Sequence, residues 1–221
     1  MTVPRWALAS AIAAPVAMIG GWTLAAAQQP SFDAVQETIS ALAASTATDP
    51  WIMTAGLAIT GVAHMVTAAG LRPVPRAARA MHALGGAATL AVAALPVDAY
   101  PTAHGIAAGI GFGALALWPA LARRRGATGV LRPAVGLGAS AALVGLLGVF
   151  VVELQVDGDA VGLSERALAG AQALWPLVVV VALRRDARRA PPTPEGRRGG
   201  GRRKRQASRS DRTSNAESHP S

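Results

Sequence analysis

Six long apolar blocks alternate with short polar connections along this chain. The blocks cover residues 6–27, 51–71, 80–97, 102–122, 131–152 and 164–183. An α-helix rises about 1.5 Å per residue, so about 20 apolar residues cross a hydrocarbon core of about 30 Å. The blocks are apolar on all sides, whereas the helices of a soluble bundle keep a polar stripe. The pattern therefore predicts an all-α polytopic membrane protein with a bundle of six transmembrane helices.

The charges of the connections alternate in sign and so orient the bundle. Basic residues precede the first block, join the second to the third and the fourth to the fifth, and follow the sixth. The other three connections are acidic, with Asp33, Glu37, Asp49, Asp98, Asp157, Asp159 and Glu165 in them or at their edges, and with Arg166 as their basic exception. Because basic loops stay on the cytoplasmic side, we expect both termini to be cytoplasmic. The predicted location is the bacterial plasma (inner) membrane, with the acidic connections outside.

The first block allows a second interpretation. It has a basic start, an apolar run and a small-residue end at Ala25–Ala27, which is also the layout of a cleaved signal peptide. A retained transmembrane helix is favoured, because the apolar part is long and the start carries one arginine, Arg5. Cleavage would leave the orientation of the other helices unchanged.

Composition supports the membrane assignment and divides the chain in two. Hydrophobic residues make up 52 % of the sequence and charged residues 15 %. This composition is more apolar than that of a typical soluble domain. Without cysteine there is no disulfide and no thiolate chemistry. We expect a transmembrane domain over residues 1–185, in contact with membrane lipids, and no cofactor.

Residues 186–221 form a basic tail that accounts for much of the net charge of +9. The tail is rich in Arg, Gly, Pro and Ser, cannot bury a core, and is predicted to be disordered. On the cytoplasmic side it would meet anionic lipid headgroups, each nearby basic residue contributing about 1 kcal/mol. No nucleic-acid partner is expected, because no aromatic residue interleaves the arginines.

The segment DAVQETISALAAS, residues 33–45, is the longest polar insert between apolar blocks. Asp33 followed three residues later by Gln36 resembles a capping box, so the segment is predicted to form a short extracytoplasmic helix. In the fourth block, Gly105, Gly109 and Gly113 recur at four-residue spacing. Such a stripe allows helix backbones to approach closely, either within the bundle or in a homo-oligomer.

Polar residues near the acidic connections suggest one candidate site. Asp98 and His104 flank a tight connection, Asp33, Glu37 and Ser40 could fold over it, and Glu153 ends the fifth block at a similar depth. An Asp that orients a His, with Ser40 as nucleophile, would support hydrolase or transferase chemistry. The carboxylates could instead bind a small ligand or a cation. The residues could also serve only as helix caps and as polar groups at the membrane surface, in a protein that is not an enzyme.

Two histidines fall inside apolar blocks. An ionisable residue at membrane depth normally has a partner or a purpose, so His64 is either hydrogen-bonded within the bundle or part of a relay with His82. The relay would imply a small transporter. His64 and His104 differ in depth by roughly 15–20 Å on helical geometry, so His64, His82 and His104 cannot share one metal. No metal site is predicted.

Three stretches resemble a known family. They are DAVQETISALAASTATDPWIMTAGLAITGVAHMVTAAGLR, ALPVDAYPTAHGIAAGIGFGALALWPALARRR and GLSERALAGAQALWPLVVVVALRR. Together they are similar to domain of unknown function 998, a mainly actinobacterial family of six-helix integral membrane proteins. The resemblance covers about residues 5–185. The family's acidic-Ser segment and its Asp followed by His match Asp33, Ser40, Asp98 and His104. The resemblance implies a fold and no reaction.

Overall fold

The computed structural model describes residues 2–189. The helices in that range are α1 Arg5–Ala27, α2 Trp51–Gly70, α3 Arg76–Ala94, α4 Pro101–Ala122, α5 Pro133–Gln155 and α6 Val161–Arg189. Two 3₁₀ turns, Ser40–Ala43 and Gly129–Leu131, lie in the connections. No strand occurs between residues 2 and 189, which confirms the all-α prediction. The tail from residue 190 onward, predicted to be disordered, lies outside the described residues.

The helices pack in one compact unit, Met1–Ala187. Of a second unit, Arg188–Ser221, the structure describes only the two arginines that end α6. The site and both cores described below belong to the first unit.

Five of the helices, α1, α2, α4, α5 and α6, are long and apolar enough to cross a membrane. The 19-residue α3 is not among them. It includes Arg76 and Arg79, which sequence reasoning had placed in a loop before the apolar block at 80–97. The structure thus supports a membrane protein with at least five candidate spans, and six spans remain a prediction.

The early start of α3 has a local cause in the chain before it. Pro75 precedes the helix in an extended conformation, and the Arg79 guanidinium then reaches back to the end of α2. It donates hydrogen bonds of 2.8 Å to the carbonyl oxygens of Ala68 and Ala69. These carbonyls belong to the last turn of a helix and have no partner further along it. Arg79 therefore closes α2 from the first turn of α3.

The bundle has two ends, which differ in charge. The acidic end contains the α1–α2, α3–α4 and α5–α6 connections, and the basic end contains the other connections and the chain start. A basic-end core is formed by large apolar side chains and small ones, including Val3, Leu71, Trp118, Leu131, Val179 and Val180. An acidic-end core includes Met18, Leu42, Met53, Leu57, Val92 and Ala173.

Close helix contacts occur at glycines other than those of the Gly105 stripe. A Cβ atom built at Gly61 of α2 would lie 2.7 Å from the carbonyl oxygen of Gly86 in α3, so the two backbones touch there. A Cβ at Gly105, Gly109 or Gly113 would meet nothing within 4 Å. Packing of this stripe within the bundle was therefore a wrong interpretation, because the stripe faces away from the other helices. Its use in a homo-oligomer stays a prediction.

Candidate functional site

The segment between α1 and α2 is held by its own acidic side chains. Asp33 Oδ1 accepts hydrogen bonds from the backbone N–H of Val35 at 2.8 Å and of Gln36 at 3.4 Å. Glu37 Oε1 accepts the backbone N–H of Asp33 at 2.8 Å. Thus Glu37, rather than Gln36, closes the predicted cap. The helical part is shorter than predicted, because only Ser40–Ala43 forms a 3₁₀ turn.

This segment docks on the first turns of α6. The backbone N–H of Leu163 donates to the Val35 carbonyl oxygen at 2.9 Å. The Arg166 guanidinium donates to the carbonyl oxygens of Ala34 at 2.9 Å and Glu37 at 2.7 Å. Gly162 is needed here, since a Cβ at that position would overlap the Glu37 carbonyl oxygen. The docking places the following residues, Ile39 and Ser40, over the acidic end of the bundle.

Ser40 and His104 meet at this end. His104 Nε2 lies 3.0 Å from Ser40 Oγ, and His104 Nδ1 lies 2.7 Å from the carbonyl oxygen of Leu95. Leu95 follows the last residue of α3, where helix carbonyl groups lack partners within the helix. His104 is buried on the first turns of α4. One histidine therefore links the end of α3 to the segment that covers the bundle.

Glu165 is the buried acid of the site. Its side chain is 4 % exposed, and its Oε2 accepts the backbone N–H of Ile39 at 2.5 Å. Ser40 follows Ile39 directly in the chain, and Ser40 and Glu165 line the same cavity. A buried carboxyl group is costly without hydrogen bonds, so docking of the segment is what makes this placement tolerable. Ser40 therefore bonds to His104 and faces the same cavity as Glu165.

A cavity of about 40 Å³ extends from Ser40 and Glu165 into the bundle. Its walls are mostly apolar, with Leu57, Val92 and Phe112 from three helices. A single water needs about 10–15 Å³ measured in this way, so the cavity has room for about three waters or a group of similar size. The site is therefore a narrow recess with polar groups at one end.

Gln172 lies two turns further along α6 and also lines this cavity. Its Nε2 donates to the carbonyl oxygen of Phe112 at 2.9 Å, which fixes the amide. Its Oε1 is buried and has no hydrogen-bond partner among the described residues. A buried acceptor without a partner is unusual in native proteins and marks a position where a donor group would be stabilised.

His64 and His82 form a pair deeper in the bundle. His64 Nδ1 and His82 Nε2 are 3.0 Å apart, and both side chains are buried. The His82 ring stacks on Trp118 with centroids 4.6 Å apart and planes 11° apart. His64 also lines the cavity. The pair therefore lies at the inner boundary of the cavity, directly on the basic-end core.

Asp98 has a different partner from the one that sequence reasoning gave it. Its carboxylate accepts the backbone N–H of Ser45 at 3.0 Å and the hydroxyl of the same residue. These two bonds, the hydroxyl first, hold the pKa of Asp98 below its usual value. The Leu95 carbonyl, and not Asp98, orients His104. Asp98 instead fastens the end of the 33–45 segment to the α3–α4 connection.

The remaining candidates lie apart from Ser40 and His104. Glu153 Oε2 accepts the backbone N–H of Ala160 at 3.1 Å and so caps the α5–α6 connection. Asp33 and Glu37 are exposed and bond within their own segment. Over residues 2–189, no three His, Cys, Asp or Glu side chains converge to hold a metal ion.

Comparison with known proteins identifies one matching family. A model described as "Protein of unknown function (DUF998)" matches residues 11–182, which is most of the chain. The chain belongs to this family. No curated protein and no solved structure matches it significantly. The match includes all six helices in whole or in part and confirms the resemblance seen in the sequence.

Two residues of this DUF998 site were missed by sequence reasoning. Glu165 had been counted among the charges of an outer connection, and Gln172 had not been singled out. A helical signal was available, since Glu165, Ala169 and Gln172 repeat at intervals of four and three on one face of α6. Burial of Glu165 on that face depends on docking of the 33–45 segment, a contact across more than 100 residues of chain.

Proposed function

We propose that this DUF998 protein is a six-span bacterial plasma-membrane protein that binds a small ligand from the extracytoplasmic side. The ligand we infer is a small organic cation with an ammonium group. The observation that carries the proposal is the cavity, which combines the Glu165 carboxyl group with an unpartnered amide oxygen of Gln172 between apolar walls. The orientation rests on the charge alternation of the connections, which would place the acidic end outside.

The chemistry of the lining favours a hydrogen-bond donor. Ser40, Glu165 and Gln172 all offer oxygen atoms to the cavity, and none of the described lining residues is Lys or Arg. Arg166 neighbours Glu165 in sequence, but its guanidinium is engaged by the carbonyl groups of the docked segment. An ammonium group supplies three donors and a positive charge, and an alkyl group of two or three carbons suits the apolar walls.

Ethylammonium is a suitable probe, because its three heavy atoms match the size of the cavity. The purified full chain in lipid nanodiscs should unfold at a higher temperature as ethylammonium chloride is added, in a saturable manner. At ten times the dissociation constant, the expected stabilisation is about 1.4 kcal/mol. Equal concentrations of sodium chloride and of ethanol test for ionic-strength and apolar effects.

A matched pair of variants locates the effect. Glu165→Gln should abolish the shift, whereas Glu153→Gln should retain it, because Glu153 caps the α5–α6 connection away from the cavity. An ethylammonium shift of the same size in Glu165→Gln, or an equal shift with sodium chloride, would refute the proposal.

A small transporter is the second candidate, since His64 lines the same cavity and contacts His82. Against it, the basic-end core lies beyond His82, with Trp118 fully buried against the ring. Transport would require this core to open. Proton flux into liposomes, measured with a pH-sensitive dye under an imposed potential, tests it. Flux that is present in the unmodified protein and lost in His82→Phe would make transport the better description.

A further inference from the structure

The protons around His104 can be assigned from its two partners. The Leu95 carbonyl oxygen can only accept, so His104 Nδ1 carries a hydrogen and donates across 2.7 Å. In the neutral ring, Nε2 then has a free lone pair, and it faces Ser40 Oγ at 3.0 Å. The serine hydroxyl therefore donates to the imidazole. A hydroxyl, a base and a third group that orients the base form the arrangement that activates a serine for nucleophilic attack.

The arrangement is held rigidly and has access to the cavity. His104 is buried and fixed at both ring nitrogens, while Ser40 begins a 3₁₀ turn and lines the recess. The ordinary pairing of a polar histidine with a serine would need no cavity beside the hydroxyl. Here the hydroxyl lies at the polar end of one.

We propose that Ser40 is a nucleophile and His104 its general base, and that they act on small esters whose acyl group carries an amino group. The substrate class rests on the proposed binding of an ammonium group. In an α-amino ester the nitrogen lies two bonds from the acyl carbon. Ser40 bonds to His104 and lines the same cavity as Glu165, so one substrate in that cavity can present its carbonyl carbon to Ser40 and its ammonium group to Glu165. The cavity volume of about 40 Å³ restricts the acyl group to two or three carbons.

The reaction proceeds in two balanced stages. Ser40 Oγ bonds to the acyl carbon as its proton moves to His104 Nε2, and the bond to the alcohol oxygen then breaks. The departing alcohol takes that proton from Nε2, which leaves an acyl-serine. Water next attacks the acyl carbon and gives a proton to Nε2. The bond to Oγ breaks, the proton returns to Ser40, and the free amino acid is released.

Methanesulfonyl fluoride tests the nucleophile directly, because it is small and reacts with activated serines. The S–O bond to Oγ forms, the S–F bond breaks, and His104 takes up the proton. Mass spectrometry of the full chain in nanodiscs should find the sulfonyl group on Ser40. Labelling should be absent in Ser40→Ala and roughly 100-fold slower in His104→Gln, in keeping with the size of general-base effects.

Ser45→Ala is the matched control, since Ser45 belongs to the same segment and bonds Asp98 instead. It should be labelled at the normal rate. Thermal unfolding and circular dichroism establish that each variant is folded. An unlabelled Ser40 in the folded protein, or unchanged labelling in a folded His104→Gln, would overturn the assignment.

Hydrolysis of glycine ethyl ester, compared with ethyl acetate, tests the substrate class by the ethanol released. The amino ester should react at least tenfold faster, and Ser40→Ala should remove the difference. Equal rates for the two esters would overturn the substrate class. Stabilisation by ethylammonium without any labelling of Ser40 would overturn the nucleophile and leave the proposed binding function intact. Labelling of Ser40 without stabilisation by ethylammonium would overturn the proposed binding function and leave the nucleophile intact.

Discussion

The two ends of the bundle are stabilised in different ways. At the basic end, apolar side chains and Trp118 fill the space between the helices, and Arg184 fastens the chain start by donating to the Val3 carbonyl oxygen at 2.6 Å. At the acidic end, a polar segment covers the bundle and brings Ile39 to Glu165 and Ser40 to His104. One end is closed by packing and the other by hydrogen bonds to a docked segment. Function is therefore expected at the second.

The largest expected effect is the loss of the basic-end core. Trp118→Ala should reduce the free energy of unfolding by about 3–5 kcal/mol, because it removes a fully buried aromatic ring that stacks on His82. Thermal or denaturant unfolding in detergent micelles measures the change. Trp51→Ala serves as the control, since Trp51 is 66 % exposed, and should have a much smaller effect. Equal losses in the two variants would mean that the basic end is not closed by packing.

Docking at the acidic end is tested by a glycine pair. Gly162→Ala should cost about 1–3 kcal/mol, because the added methyl group overlaps the Glu37 carbonyl oxygen. Gly105→Ala should be neutral or stabilising, since a Cβ there meets nothing within 4 Å and alanine favours a helix. Proteolysis within the 33–45 segment should accelerate only in Gly162→Ala. If both variants were cleaved at the same rate, docking of the segment on α6 would be in doubt.

The histidine pair lies between the basic-end core and the cavity. Its removal therefore tests whether the pair contributes to stability alone or also to ligand binding. His82→Phe keeps a ring on Trp118 but leaves His64 Nδ1 without its partner, at a cost of about 1–2 kcal/mol. The double variant His64→Leu with His82→Phe should recover part of that loss. Ethylammonium stabilisation should survive in both. If ethylammonium no longer stabilised folded His82→Phe, the ligand site would have to include His82 as well as the cavity.

The smallest effect concerns acid stability. The pKa of Asp98 is lowered in the folded state, so its contribution is present above the unfolded pKa of about 3.9 and is lost as pH falls through the folded value. Ser45→Ala removes the hydroxyl that contributes most to this lowering. Unfolding measured between pH 5 and pH 2 should depend less on pH in Ser45→Ala than in the unmodified protein. If the pH dependence of unfolding were the same in Ser45→Ala, the loss of stability in acid would be due to other carboxylates.

The sequence predicted the positions of the helices well and the contacts of individual side chains less well. Apolar blocks located all six helices, with α3 starting earlier because Arg76 and Arg79 look like loop residues until Arg79 is seen to close α2. Ser40 and His104 were placed at the same end because both adjoin acidic connections. Asp98 was given the wrong partner, since nearness along the chain favoured His104 over Ser45. Glu165 was missed because its burial depends on a segment that folds over it from far away in sequence.

That long-range contact has a consequence for biogenesis. Ile39 is synthesised early, and Glu165, which accepts its backbone N–H, follows 126 residues later. Helices α1 to α5 are therefore made while the cavity still lacks Glu165 and the wall that α6 provides. With α6, Gly162, Glu165 and Arg166 reach the 33–45 segment and its contacts with α6 can form. A nascent chain that stops before α6 would lack the proposed binding site, so we expect ligand binding only after the last helix has been made.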